Sequence, residues 1–310
     1  MPPALPASGA DSAAQDRRHR LVGIAWLVGA TICFACIDAS AKWLNRSMPP
    51  LQTVTIRYLG AFVVIALLLN PRTKPGVLRT QRPLLQVARG LGLVVSSICL
   101  ITALNYLSLT ATTAINFASP LIVALLAGPM LGETLGPRRL GAVVVGFVGV
   151  LVVTHPWTGT FHPAMGLAFL CACSTALYAI ITRVLARHDS PETTMFYTAV
   201  VGAVAVLPFI PFVWHPLTAP RVWTAIAAIS FFGAAGHWMM ILAYRKAPAS
   251  VVAPFFYAQL LWAVGIAAVI FQEVPAPATL LGGGIVIASG LYLLHRERVR
   301  KQPPSTDATV

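Results

Sequence analysis

Apolar residues in this 310-residue chain come in long runs separated by short polar stretches. The first, LVGIAWLVGATICFACI at 21–37, contains no charge. A bilayer core takes about 20 mostly apolar residues per helix. Ten runs meet that length, at roughly 21–44, 51–69, 88–108, 111–131, 139–154, 165–185, 194–214, 222–244, 249–271 and 277–294. The connections are short, which leaves no room for a folded aqueous domain on either side. Residues 1–20, rich in Pro, Ala and Ser and without periodicity, read as a disordered cytoplasmic tail. The RRHR cluster before the first run has the look of a secretory signal. That run is long and others follow it, so an uncleaved first span is expected. Residues 296–310 read as a second cytoplasmic tail.

Composition agrees with the pattern. Hydrophobic residues make up 57% and charged residues 10% of the chain, and mean hydropathy is +0.77. Soluble domains carry about 25% charged residues, because a water-facing surface needs them. The fold class is therefore an all-α integral membrane protein whose main partner is the lipid bilayer.

The net charge of +13 changes the picture only through its distribution. With the N-terminus in the cytoplasm, 18 of the 22 Lys and Arg residues fall on the cytoplasmic side, Arg89 among them. Lys42, Arg46 and Arg221 fall outside, and Arg57 lies within a span. The positive-inside rule then places both termini in the cytoplasm of a bacterial cell, with the chain multi-pass in the inner membrane. No basic stripe is interleaved with exposed aromatics, so no nucleic-acid partner is expected. All five cysteines sit in apolar runs, and Cys33-x-x-Cys36 lacks partners at zinc-site spacing; they read as packing residues.

The chain also repeats itself. GIAWLVGATICFA (23–35) corresponds to GLAFLCACSTALY (166–178). A segment ending in Glu133 corresponds to one ending in Glu273, and a Gly-rich helix follows each. Five spans per half is an odd number, so the second copy enters from the opposite face. The expected architecture is two inverted five-helix repeats, residues 22–154 and 165–295, with Glu133 near the cytoplasmic surface and Glu273 near the periplasmic one. Inverted repeats are a hallmark of secondary transporters, with a central site open to each side in turn.

The doubled five-span units, the Pro120-to-Glu133 segment and APFFYAQLLWA resemble the EamA repeats of the drug/metabolite transporter superfamily, over about residues 22–295. Asp38, Lys42, Arg57, Arg89-Gly90 and Pro254-Phe255-Phe256-Tyr257 look closest to bacterial members described as uptake carriers for riboflavin or S-adenosylmethionine. The resemblance implies a non-enzymatic secondary transporter of a small organic metabolite, riboflavin or a similar heterocycle. An exporter of amino acids or related metabolites is the alternative, and a membrane-embedded enzyme or assembly subunit the alternative of another class.

Ionisable residues inside spans are expensive, which singles out Asp38, Lys42 and Arg57. Asp38 and Lys42 are four residues apart on one helix face, and Arg57 lies at comparable depth on the returning span. The corresponding positions in the second half are Ile181, Leu185 and Val200. Two readings stand: a structural ion pair with Lys42 snorkelling outward, or contact with substrate or a gate. Polar or aromatic residues at mid-span supply the other candidates: Asn116, Ser119, Tyr178, His237, Trp238, Tyr257 and Gln259. Pro120 and Pro254 free a helical carbonyl and can kink their helices, which suits a cavity wall. Gly141, Gly146, Gly149, Gly284 and Gly290 are expected to permit close helix approach. No phosphate-binding loop and no cluster of metal ligands is present, so neither a cofactor nor a metal is expected. Transport is then facilitated or driven by an ion gradient, by one chain or by a homo-oligomer.

Overall fold

The computed structural model describes residues 9–72, 74–131, 136–157, 161–217, 219–247 and 249–301. Ten helical segments in it are long and apolar enough to cross a membrane. In chain order they are Arg17–Leu44, Pro50–Leu68, Pro83–Ala103, Leu109–Met130, Pro137–Thr154, Ala164–Leu185, Pro191–Val213, Pro220–Ala243, Pro254–Phe271 and Pro277–Arg296. They are called spans 1 to 10 below. No strand occurs among the described residues.

Local sequence explains where the spans begin. Proline opens the helices at Pro50, Pro83, Pro137, Pro191 and Pro220. Its missing N–H costs nothing in the first turn, and its fixed φ suits a helix. The Ser108 and Ser190 side chains cap spans 4 and 7 by accepting from the Ala111 and Thr193 backbone N–H groups.

Two starts differ from the sequence reading. Residues 9–20, expected as a disordered tail, are helical from Gly9 onward and continue into span 1. The tract ADSAAQDRRHR consists mainly of helix formers and has no proline to break the register. Residues 1–8 and 302–310 lie outside the described residues, as does Glu133. Span 3 begins at Pro83, not near residue 88. Its first turns hold the polar Gln86, whose amide nitrogen bonds Asp189 and Thr194, and Arg89, which bonds residues of spans 6 and 7.

Span 1 packs along span 8, and span 3 along span 6, while spans 2 and 7, 4 and 9, and 5 and 10 pair with each other. Exchanging the two halves turns the 1–8 pair into the 6–3 pair and leaves the other three unchanged. A two-fold relation between the halves requires this neighbour pattern. Spans 4 and 9 are both discontinuous. The first breaks at Phe117 and Ala118 just before Pro120, and the second passes through a 3-10 turn, Ala253–Tyr257, that contains Pro254. Each proline lacks the N–H that would continue the helix, as expected from the sequence.

Glycine sets the spacing of spans 5 and 10. A Cβ on Gly149 would lie 2.8 Å from the Gly282 carbonyl oxygen, and one on Gly282 would lie 2.5 Å from that of Gly149. Gly146 and Gly290 are equally closed in, by Leu121 and by the Tyr257 hydroxyl. Gly141 and Gly284 face open space and do not mediate close approach, contrary to expectation. The small-residue pattern is readable in sequence, but which rotation of the helix faces a neighbour is not.

Candidate functional site

A cavity of about 580 Å³ lies between spans 2, 3, 6, 7 and 8. It runs from Asp189 and Arg245, at the end of the bundle that carries loops 69–82 and 186–190, inward to Arg57 and His237. That end is called the basic face below.

Arg89 of span 3 is the most elaborately held side chain of the wall. Its Nε donates to Thr182 Oγ1 at 2.6 Å, and its two terminal nitrogens donate to the Thr194 carbonyl, Thr198 Oγ1 and the Tyr178 hydroxyl. The guanidinium also lies over the Tyr178 ring, 4.3 Å from its centroid. All these acceptors are neutral. Arg57 of span 2 donates to Ser97 Oγ at 3.2 Å, and Ser97 in turn hydrogen-bonds the Tyr58 hydroxyl at 2.9 Å. His237 of span 8 meets Phe34 edge-on, with ring centroids 5.2 Å apart.

Asp38 does not pair with Lys42. Its carboxylate accepts from Gln259 Nε2 at 3.1 Å, which ties span 1 to span 9. Arg57 acts on it electrostatically without closing an ion pair. Lys42 points away and forms a salt bridge of 2.8 Å with Glu273. The same ammonium donates to the Leu107 carbonyl at 2.6 Å, and Glu273 accepts from the Leu109 backbone N–H at 3.2 Å. Gln272, at φ 56°, ends span 9 in a left-handed turn that aims Glu273 at this contact. The expected single layer of Asp38, Lys42 and Arg57 is thus two separate sites. The reason is reach: the four-residue offset puts Asp38 and Lys42 on one face, but each side chain has a partner from the other half closer than its neighbour.

Gln52 closes the same end independently. Its amide donates to the His215 carbonyl at 2.9 Å and accepts from the His215 backbone N–H at 3.2 Å. These contacts join spans at the end opposite the basic face, and the cavity runs inward from the basic face.

At the mouth, Asp189 gathers the loops. It accepts from the Thr80 hydroxyl, the Gln81 backbone N–H and Gln86 Nε2. Slight burial pushes its carboxyl up, but these three hydrogen bonds and the nearby His188 outweigh that and hold it below the usual carboxylate range. Beside it, Arg245 and Glu192 form an exposed ion pair of 2.5 Å.

Three of the sequence candidates, Arg57, Tyr178 and His237, line the cavity. Asp38 and Gln259 form the polar pair just described, and Lys42 belongs to the seal. Asn116 accepts from the Cys171 thiol at 3.4 Å, and Ser119 is half-buried just past the break in span 4. Tyr257 is buried edge-on against Phe117, and its hydroxyl lacks a hydrogen-bond partner among the described residues. Trp238 is 40% exposed on the outside of the bundle. Those four do not line the cavity.

Sequence reasoning placed Arg89 on the cytoplasmic side and missed its role in the wall. The available signal was its position as the only charge in PLLQVARGLGLVV. Glu273 lies at the end of the bundle opposite the basic face, and nothing in the sequence singled out Lys42 as its partner.

Comparison with known proteins gives the same architecture a name. A chain called S-adenosylmethionine uptake transporter, from Rickettsia felis, is 28% identical over 281 residues, covering 90% of this chain and 94% of that one. A chain called riboflavin transporter, from Vibrio cholerae, is 27% identical over 288 residues, covering 91% and 95%. A crystal structure with 17% sequence identity shares the fold at a TM-score of 0.62, over 89% of this chain and 98% of its own. The EamA-like transporter family matches residues 21–155 and 162–295, nearly the whole membrane portion, so this chain belongs to that family.

Proposed function

We propose that the chain is a secondary transporter that brings a small heterocyclic metabolite of the riboflavin kind into the cell. It does so across the bacterial inner membrane, with both termini and the basic face in the cytoplasm and the two halves inverted. One observation carries this reading. A cavity of about 580 Å³ is open at one end of the bundle, while Lys42–Glu273 and Gln52–His215 shut the other. That is one of the two states alternating access requires. The volume lies within the usual range for drug-sized ligands, about 300–1,000 Å³. Tyr178 and His237 offer flat faces to a heterocycle, and Arg57 offers donors to its oxygens beside the fixed charge of Arg89. Residue pairs that join the halves across the sealed end give the chain a contact to break when the cavity opens outward.

The relatives named for S-adenosylmethionine uptake support a second reading, uptake of that molecule through the same cavity. Proteoliposomes containing only this protein separate the two. Accumulation of labelled riboflavin, with no accumulation of S-adenosylmethionine, is expected. Accumulation of neither above protein-free liposomes overturns the proposal.

A further inference from the structure

Two guanidinium groups face one cavity in the membrane interior, and among the described residues neither has a carboxylate within ion-pair reach. Arg89 spends its donors on threonine, tyrosine and a backbone carbonyl. Those bonds fix its position but leave its charge in place. Among the described residues Arg57 makes a single hydrogen bond, to Ser97, so most of its five N–H groups remain for a ligand. His237 lines the same cavity as both.

The remaining charges nearby do not cancel them. Asp38 acts on Arg57 from outside ion-pair distance and is occupied by Gln259. Asp189, at the mouth, is held by Thr80, Gln81 and Gln86. Arg245 is neutralised by Glu192. Even with Asp38 ionised, one positive charge at the inner end of the cavity is unbalanced. Charge held away from water is costly unless it meets its opposite, and a guanidinium fork suits the geometry of carboxylate and phosphate.

We propose that Arg57 and Arg89 form a seat for one oxyanion, a carboxylate or a phosphate, carried by the transported molecule. Arg89 is the rigid half of the seat, locked by spans 6 and 7, and Arg57 the adaptable half. A planar ring attached to the anion then rests toward Tyr178 and His237. This assignment rests on the transporter reading above and narrows it. The preferred cargo is an acidic heterocycle, and a neutral one binds through its carbonyl oxygens more weakly.

The test uses purified full-length protein and matched pairs that differ by one acidic group: nicotinate against nicotinamide, orotate against uracil, and riboflavin 5′-phosphate against riboflavin. Binding is read by thermal stabilisation. For at least one pair the acid is expected to bind about tenfold to a hundredfold more tightly than its neutral partner, the effect of charge-assisted hydrogen bonds. The first two pairs report a carboxylate seat and the third a phosphate seat. Arg57→Gln should abolish the preference by weakening the acid far more than its neutral partner, and Arg57→Lys should retain part of it. The comparison on the unaltered protein needs no variant to fold. Equal binding in every pair, or no binding by any acid, overturns the seat. Riboflavin uptake by proteoliposomes without acid preference removes the seat and keeps the transporter reading. Acid-selective binding without uptake of any probe does the reverse.

Discussion

Replacing Lys42 with methionine should unseal the end of the bundle opposite the basic face. Lys42 joins span 1 to the turn after span 9 through Glu273, and both side chains bond the turn before span 4. Breaking a fully buried ion pair costs about 3–5 kcal/mol, and an exposed pair is worth about 0–1 kcal/mol. The two side chains are 11% and 27% exposed, and Glu273 keeps its bond from the Leu109 N–H. An intermediate value of about 2 kcal/mol follows, which shifts the balance between sealed and unsealed states about thirtyfold. A cysteine at Ala61 in the cavity wall reports the change; no native cysteine lines the cavity. In oriented vesicles, a membrane-impermeant maleimide should label Ala61→Cys from the basic face in the otherwise unaltered protein. With Lys42→Met added, labelling from the opposite face should rise. The double change Lys42→Met with Glu273→Met should label similarly but melt close to the parent, because no carboxylate is left buried alone. If labelling from the sealed face is unchanged in both variants, the pair is not a seal. If single and double variants melt alike, the pair does not act as a coupled unit.

Tyr257→Phe should raise the melting temperature, since the Tyr257 hydroxyl is buried without a partner and removing it relieves about 1–3 kcal/mol of desolvation. Gly290→Ala should destabilise, because its Cβ would clash with that hydroxyl. Adding Tyr257→Phe should recover part of the loss in a detergent melt, and no recovery would place the clash elsewhere. Gly149→Ala and Gly282→Ala should each lower folded yield on size exclusion, the new methyl meeting facing backbone at 2.8 and 2.5 Å; yields matching the parent would show that spans 5 and 10 separate without penalty. Asp189 should make stability depend on acid. Its folded carboxyl titrates below the ordinary value, so its contribution is full above about pH 4 and fades as pH falls through the folded value. Asp189→Asn should flatten that part of the melting-temperature profile, and parallel profiles would deny the carboxylate this role.

The spans, most of their starts and the proline sites in spans 4 and 9 were readable from residue order. Hydrocarbon imposes one length and one polarity on every crossing helix, and proline acts on its own turn, so both signals are local. The doubling of the chain was legible in the repeated segments and agrees with the two matched family units. Local polarity also misled: it drew the start of span 3 at residue 88 and so assigned Arg89 to one side of the membrane, whereas the helix opens at Pro83 and buries that side chain against spans 6 and 7. Only the packed structure decided that Lys42 meets Glu273, 231 residues away in sequence, and that Asp38 meets Gln259, 221 residues away. Periodicity states which side chains share a face of one helix. Partners on other helices depend on rotation, depth and crossing, which are set by the packing of all ten spans together.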